Sequence, residues 1–197
     1  MSAPDASDSL ESVLAPGRGG NPSDDPVRIG VRRCDLVQLS ARLGRAGDLE
    51  KYIRGALHLE LPEPGYASNG GAMSALWLQP HAWMLVAAPA ADGEFVRTVK
   101  AACGDAGSVV EQTHGRTTLT LSGGNARRVL AKLCRLDLHR RSFTPGRVAT
   151  TRMAEVSCTL HQRDEVPSYE LIVLSTYAAH FAAALTHAAA EFGYEIA

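Results

Sequence analysis

The chain lacks a charge excess, a long apolar run and any clustered cysteine. Its 20 Lys and Arg face 21 Asp and Glu, so no overall field attracts nucleic acid or an anionic membrane. No run approaches the roughly 18–20 apolar residues that a membrane helix needs. The opening MSAPDASDSLESVLAP has neither a basic start nor an apolar stretch, and no secretory leader is expected from it. Cys34, Cys103, Cys134 and Cys158 are far apart and make no CxxC. That spacing argues against zinc, an iron–sulfur cluster or a redox pair, and it suits a reducing cytoplasm. Neither a Walker loop nor a GxGxxG after a strand occurs, so no dinucleotide site is expected in this chain. The histidines form no HExxH or HxxxH pair, and TLSGGN is not GxSxG.

What is present reads as an α+β domain behind a tail. Met1–Pro26 is rich in Ser, Asp, Gly and Pro and predicts a flexible arm, because it has too little apolar surface to offset its ordering entropy. Residues 27–197 carry the folded pattern. RIGVRRCDLVQLSARLG is ambiguous between strand and helix. ALHLELP, Ala56–Pro62, alternates with period two and predicts a strand. SALWLQPHAWMLVAAP reads as a hairpin, and SVVEQTHG with RTTLTLSG as a second one turning at Gly115. Helical spacing appears in EFVRTVKAAC, NARRVLAKLC and TYAAHFAAALTHAAAEFG, the second with Cys134 facing inward and Ser122 or Asn125 as its cap. Strands surround the turn RDEVPS. Laid over one another, residues 83–107 and 169–193 match Phe95 to Phe181, Val99 to Leu185 and Gly107 to Gly193. Strand, small-residue turn and amphipathic helix thus occur twice. The expectation is two related halves of antiparallel sheet with helices on one face.

The densest chemistry lies in LCRLDLHRRSFTPGRVATTR, Leu133–Arg152, which holds a Cys, an Asp, a His and five Arg. In an extended segment Asp137 and His139 point one way, and Leu136 and Leu138 point the other, into the core. Arg140, Arg141, Arg147 and Arg152 suit bidentate recognition of carboxylates. Three readings stay open: a solvated loop with internal pairing, a catalytic Asp–His pair, and a docking surface. In the docking reading Leu136, Leu138 and Phe143 anchor the segment, while Asp137, His139, Arg140, Arg141 and Arg147 are candidates to meet a partner.

Within this stretch, LDLHRRSFTPGRVATTRMAEVSCTLHQ resembles the gamma subunit of heterotetrameric sarcosine oxidase. The resemblance is carried by Asp137, Leu138, His139, Arg140, Phe143, Gly146 and Thr151, and extends over roughly Ala56–Ile196 through LWLQPHAWMLV, TLTLSGGNARRVLAKLC and STYAAHFAAALTHAAAEFG. It implies a fold like the folate-binding domain of glycine-cleavage aminomethyltransferases. It also implies a subunit without catalytic, cofactor-binding or metal residues of its own, partnered by alpha, beta and delta subunits. FAD, FMN, NAD, zinc and tetrahydrofolate would belong to those partners. The implied complex demethylates sarcosine oxidatively and hands the one-carbon unit to tetrahydrofolate. A related N-methyl amino-acid dehydrogenase, a free-standing aminomethyltransferase and a ligand-sensing α+β module are the competing readings.

Overall fold

The computed structural model describes residues 6–91 and 93–196. In chain order the elements are α1 (Ala6–Val13), β1 (Gly17–Gly19), β2 (Val27–Arg32), β3 (Asp35–Ala41), α2 (Ala46–Leu57), β4 (Ala67–Asn69), β5 (Met73–Gln79) and β6 (Ala82–Ala87). There follow α3 (Glu94–Cys103), β7 (Gly107–Glu111), β8 (Arg116–Ser122), α4 (Ala126–Leu133), β9 (Val148–Met153), β10 (Val156–Gln162), β11 (Ser168–Leu174), α5 (Ala178–Ala189) and β12 (Tyr194–Ile196). They divide into two compact units. One takes Arg33–His114 with Gly146–Ala149, and the other takes the residues up to Arg32, Gly115–Pro145 and those from Thr150 onward. No helix among the described residues is long and apolar enough to cross a membrane.

The central unit is a five-stranded antiparallel sheet in the order β4-β5-β6-β3-β7. Period-two alternation puts Val37 and Leu39 of β3 and Trp83 and Leu85 of β6 into one core. Helical spacing brings Leu49 and Ile53 of α2, and Phe95, Val99 and Cys103 of α3, onto the same core. Residues 56–62 are not the expected strand. Instead α2 runs to Leu57, and His58 caps it in a left-handed conformation with φ 51°. The apparent alternation arose because the helix end and a buried Leu59 lie two residues apart.

The second unit repeats the same succession of strand, helix, three strands, helix and strand, from β8 to β12. Its sheet runs β1-β12-β2-β8-β11-β10-β9. The difference lies beside β8. In the central unit β3 pairs directly with β7, but here β2 is inserted between β8 and β12, antiparallel to β8 and parallel to β12. Thus β12 keeps the sense relative to β8 that β7 has relative to β3. The expected two related halves are present, but the first strand after the tail belongs to the second of them, which makes that sheet mixed. The expected hairpin at Gly115 is also absent, because β7 pairs with β3 while β8 pairs with β2 and β11.

Residues 6–26 likewise depart from a flexible arm; Met1–Asp5 lie outside the described residues. Helix α1 lies against α5, Leu14 is buried, and β1 pairs antiparallel with β12. Glycine makes this possible. A side chain on Gly20, at φ 77°, would collide with the Ala190 backbone, and the Asn21 amide donates to the Ala190 carbonyl at 2.7 Å. Composition missed this because the segment contributes backbone pairing and close approach rather than apolar bulk.

Two predictions follow from this packing. A chain starting at Val27 should lose about 2 kcal/mol or more of stability, since it forfeits the β1 pairing and the Leu14 burial. Urea unfolding checks this, and a loss within about 0.5 kcal/mol would restore the flexible-arm reading. The β9–β10 turn has positive φ at both Ala154 (48°) and Glu155 (65°), the geometry that favours Asn-Gly. Replacing Glu155 by Gly should therefore stabilise the chain by about 0.5–1 kcal/mol. The exposed Glu155–Arg152 pair that it removes is worth little.

Candidate functional site

After α4 the chain makes a self-closed turn rather than an extended strand. Leu138 and Phe143 are buried, at 6% and 3% exposure, so they anchor the segment to its own unit and leave no surface for a partner. Leu136 is half-buried, and Asp137, His139, Arg140 and Arg141 are exposed. Asp137 Oδ1 accepts the His139 amide at 2.9 Å. The His139 carbonyl accepts the amides of Ser142 at 2.8 Å and Phe143 at 2.9 Å. Hydrogen bonds from the Ser142 side chain and the His139 amide hold the Asp137 carboxyl below its ordinary range.

This geometry removes the catalytic dyad. Asp137 meets the backbone of His139 and not its ring, and the ring Nδ1 accepts the Arg141 amide at 3.3 Å. Arg147 falls in the other unit, where its guanidinium stacks 4.5 Å from the centroid of the Tyr66 ring. Arg152 pairs with Glu155 at 2.7 Å. Arg140 and Arg141 are exposed and form no ion pair among the described residues, and Arg135 and Arg147 form none either. Cys134 departs from the inward position expected for it, because α4 ends at Leu133 and leaves Cys134 as a half-exposed cap. Asn125 occupies the N-cap position but makes no capping bond with its side chain.

The sequence reading missed Arg127 and a buried charge cluster. On α4, Arg127 Nη1 donates to the carbonyls of Leu138 (2.7 Å) and Phe143 (3.0 Å), and Nη2 donates to Gln162 Oε1 (3.0 Å). On β11, Glu170 is 2% exposed. Its Oε2 accepts from His161 Nδ1 at 3.1 Å, while Oε1 meets Arg32 and lies 3.6 Å from Arg163. Burial alone would raise the Glu170 carboxyl, but the His161 hydrogen bond and the Arg32 charge outweigh it and hold it below the ordinary carboxylate range. One signal for the cluster was available: His161 and Glu170 flank the turn RDEVPS and stand opposite each other in the β10–β11 register.

Chemically the cluster is closed. Both Glu170 oxygens are engaged by cationic or donor groups, so the carboxylate is poorly placed to take a proton from a substrate. Two of the four thiols are disfavoured as nucleophiles too. Burial pushes the Cys158 thiol far up and the Cys103 thiol up, which opposes the reactive thiolate. Among the described residues no group of three or more His, Cys, Asp or Glu is placed to hold a metal ion.

A depressed carboxyl stabilises the fold above its unfolded value, and that stability is lost as pH falls through the lower native value. Replacing Glu170 by Gln should cost about 1–3 kcal/mol at neutral pH, by removing the buried carboxylate that accepts from His161 and faces the partly exposed Arg32 and Arg163. The gap between wild type and variant should narrow as pH falls through and below the ordinary carboxylate range. Urea unfolding across that range tests the sign, and a gap that widens on acidification would contradict it.

Comparison with known proteins now places the chain. A curated sarcosine oxidase subunit gamma from Arthrobacter sp is 34% identical over 112 residues, covering 57% of this chain and 54% of that protein. Its counterpart from Corynebacterium sp. (strain U-96) is 30% identical over 127 residues, covering 64% of this chain and 60% of that protein. The alignments thus span less than two thirds of these relatives' length. In three dimensions the chain is similar to a chain of the heterotetrameric sarcosine oxidase from Corynebacterium sp. U-96, solved in complex with pyrrole 2-carboxylate. That match has a TM-score of 0.77 and 25% identity, and covers 94% of this chain and 91% of that one. The glycine cleavage system aminomethyltransferase T from Bartonella henselae shares the fold, with a TM-score of 0.64 at 13% identity over 92% of this chain and 56% of that one. The family model described as the sarcosine oxidase, gamma subunit family matches residues 46–191, and the chain belongs to that family.

Proposed function

We propose that this chain is a structural subunit of a heterotetrameric sarcosine oxidase and joins it through the turn between α4 and β9. The observation that carries the reading is the superposition on a chain of such an enzyme over nearly the whole of both chains. The polar groups agree with it. Glu170 is enclosed by its partners and Asp137 is turned onto its own backbone, whereas Arg140 and Arg141 face outward and make no ion pair among the described residues. Adjacent exposed arginines on a fixed turn suit carboxylates on a partner surface. The partners are alpha, beta and delta subunits. The complex converts sarcosine to glycine in the cytoplasm and passes the one-carbon unit to tetrahydrofolate. FAD, FMN, NAD, zinc and the folate are carried by the other subunits.

Arg140→Glu and Arg141→Glu should each weaken assembly with the larger subunits by about tenfold or more. The isolated variants should melt as the wild type does, because both side chains are exposed. Co-purification and the specific activity of whatever complex forms separate the readings. Full assembly with full activity would return both arginines to a solvated loop, whereas normal assembly with lost turnover would make them catalytic. The chain expressed alone should be colourless, and a stoichiometric flavin spectrum after gel filtration would contradict the assignment of the flavins to other subunits.

A further inference from the structure

The Arg127 guanidinium reaches farther than one loop. Its bonds to the Leu138 and Phe143 carbonyls close both ends of the segment that displays His139, Arg140 and Arg141. Its third bond runs to Gln162, the last residue of β10, which is fully buried. Gln162 Nε2 in turn donates to the Asp164 carbonyl at 2.9 Å, inside the turn that leads to β11. Asp164 closes that second turn by accepting the Ser168 amide at 3.1 Å and the Ser168 hydroxyl at 2.6 Å. The second turn carries Val166, a β-branched side chain that is 74% exposed. The guanidinium also lies 5.8 Å from the centroid of the Tyr169 ring, within reach of a cation–π contact.

We propose that Arg127 is a positioning residue that joins the α4–β9 turn and the β10–β11 turn into one rigid partner-facing surface. One turn presents Arg140 and Arg141 and the other presents Val166, all exposed, so the surface fits a partner that offers carboxylates to the first turn and a small apolar recess to the second. This inference rests on the docking role of Arg140 and Arg141. Preorganisation is the physical reason for it. Two turns already held in place have less freedom to lose on binding than two free ones. A planar fork with several donors can hold acceptors from separate segments at once, which the ammonium of lysine cannot do in the same geometry.

Trypsin reports the clamp directly, because its cleavage sites Arg140 and Arg141 lie inside the turn. In the full-length chain, Arg127→Met should raise cleavage after these two residues about tenfold relative to cuts elsewhere. Global unfolding would speed all cuts together and leave that ratio unchanged. The same variant should weaken assembly with the larger subunits about tenfold, and Arg127→Lys should recover part of both effects. Val166→Asp should weaken assembly without altering the trypsin ratio. An unchanged ratio in Arg127→Met overturns the clamp, and unchanged assembly overturns its positioning role. If Arg127→Met does not fold, Arg127→Lys carries both tests, and wild-type behaviour in it overturns the proposal. Normal assembly of Val166→Asp confines the surface to one turn and overturns the joined surface. If instead Arg140→Glu and Arg141→Glu assemble normally, the docking role itself fails, while the trypsin ratio still decides the clamp.

Discussion

The Arg127 guanidinium holds acceptors from three separate parts of the chain, the carbonyls of Leu138 and Phe143 and the side chain of Gln162. Without it, residues 134–146 would keep their local turn bonds and two buried apolar side chains but lose the side-chain bonds that tie Leu138 and Phe143 to α4. With it, the connection has a fixed shape. Leu138 and Phe143 point into the unit while Arg140 and Arg141 stay outside. The bonds are charge-assisted and half-buried, the setting in which a hydrogen bond contributes most. The conformation of the exposed turn therefore depends on a residue that the turn itself does not contain.

A second constraint is the route of the N-terminal segment. The two units share one succession of elements, yet only one of them admits a strand from outside its repeat. That strand, β2, separates β8 from β12 and supplies Arg32 to Glu170. The insertion thus completes a sheet and helps neutralise a buried carboxylate. The same segment lays β1 against β12, which covers an otherwise unpaired edge. Substituting one repeat for the other would lose all three contributions together.

Legibility in the sequence followed the range of the interaction. Helices α3, α4 and α5 were readable because Phe95, Val99 and Cys103, or Phe181 and Leu185, recur at helical spacing against a local stop such as Gly104 or Gly193. The β5–β6 and β10–β11 hairpins were readable from short turns. What depended on distant pairing was not. Nothing near Val27 announces that β2 will run parallel to β12, and Gly20 reads as linker until the Ala190 backbone is beside it. In the site, the exposure of Arg140 and Arg141 was legible from their polar context. Arg127 was not, because in NARRVLAKLC it looks like any arginine on the outer side of a helix. The Asp137–His139 pair misled for a local reason: a carboxylate two residues before an amide caps that amide more readily than it reaches the next ring.

The central claim is that the α4–β9 turn is where this chain meets its complex. The most direct measurement is the structure of the assembled heterotetramer containing this chain. The account predicts that Arg140 and Arg141 are buried there, with partner carboxylates within about 4 Å of their guanidinium groups. An assembly in which that turn remains open to solvent would contradict it.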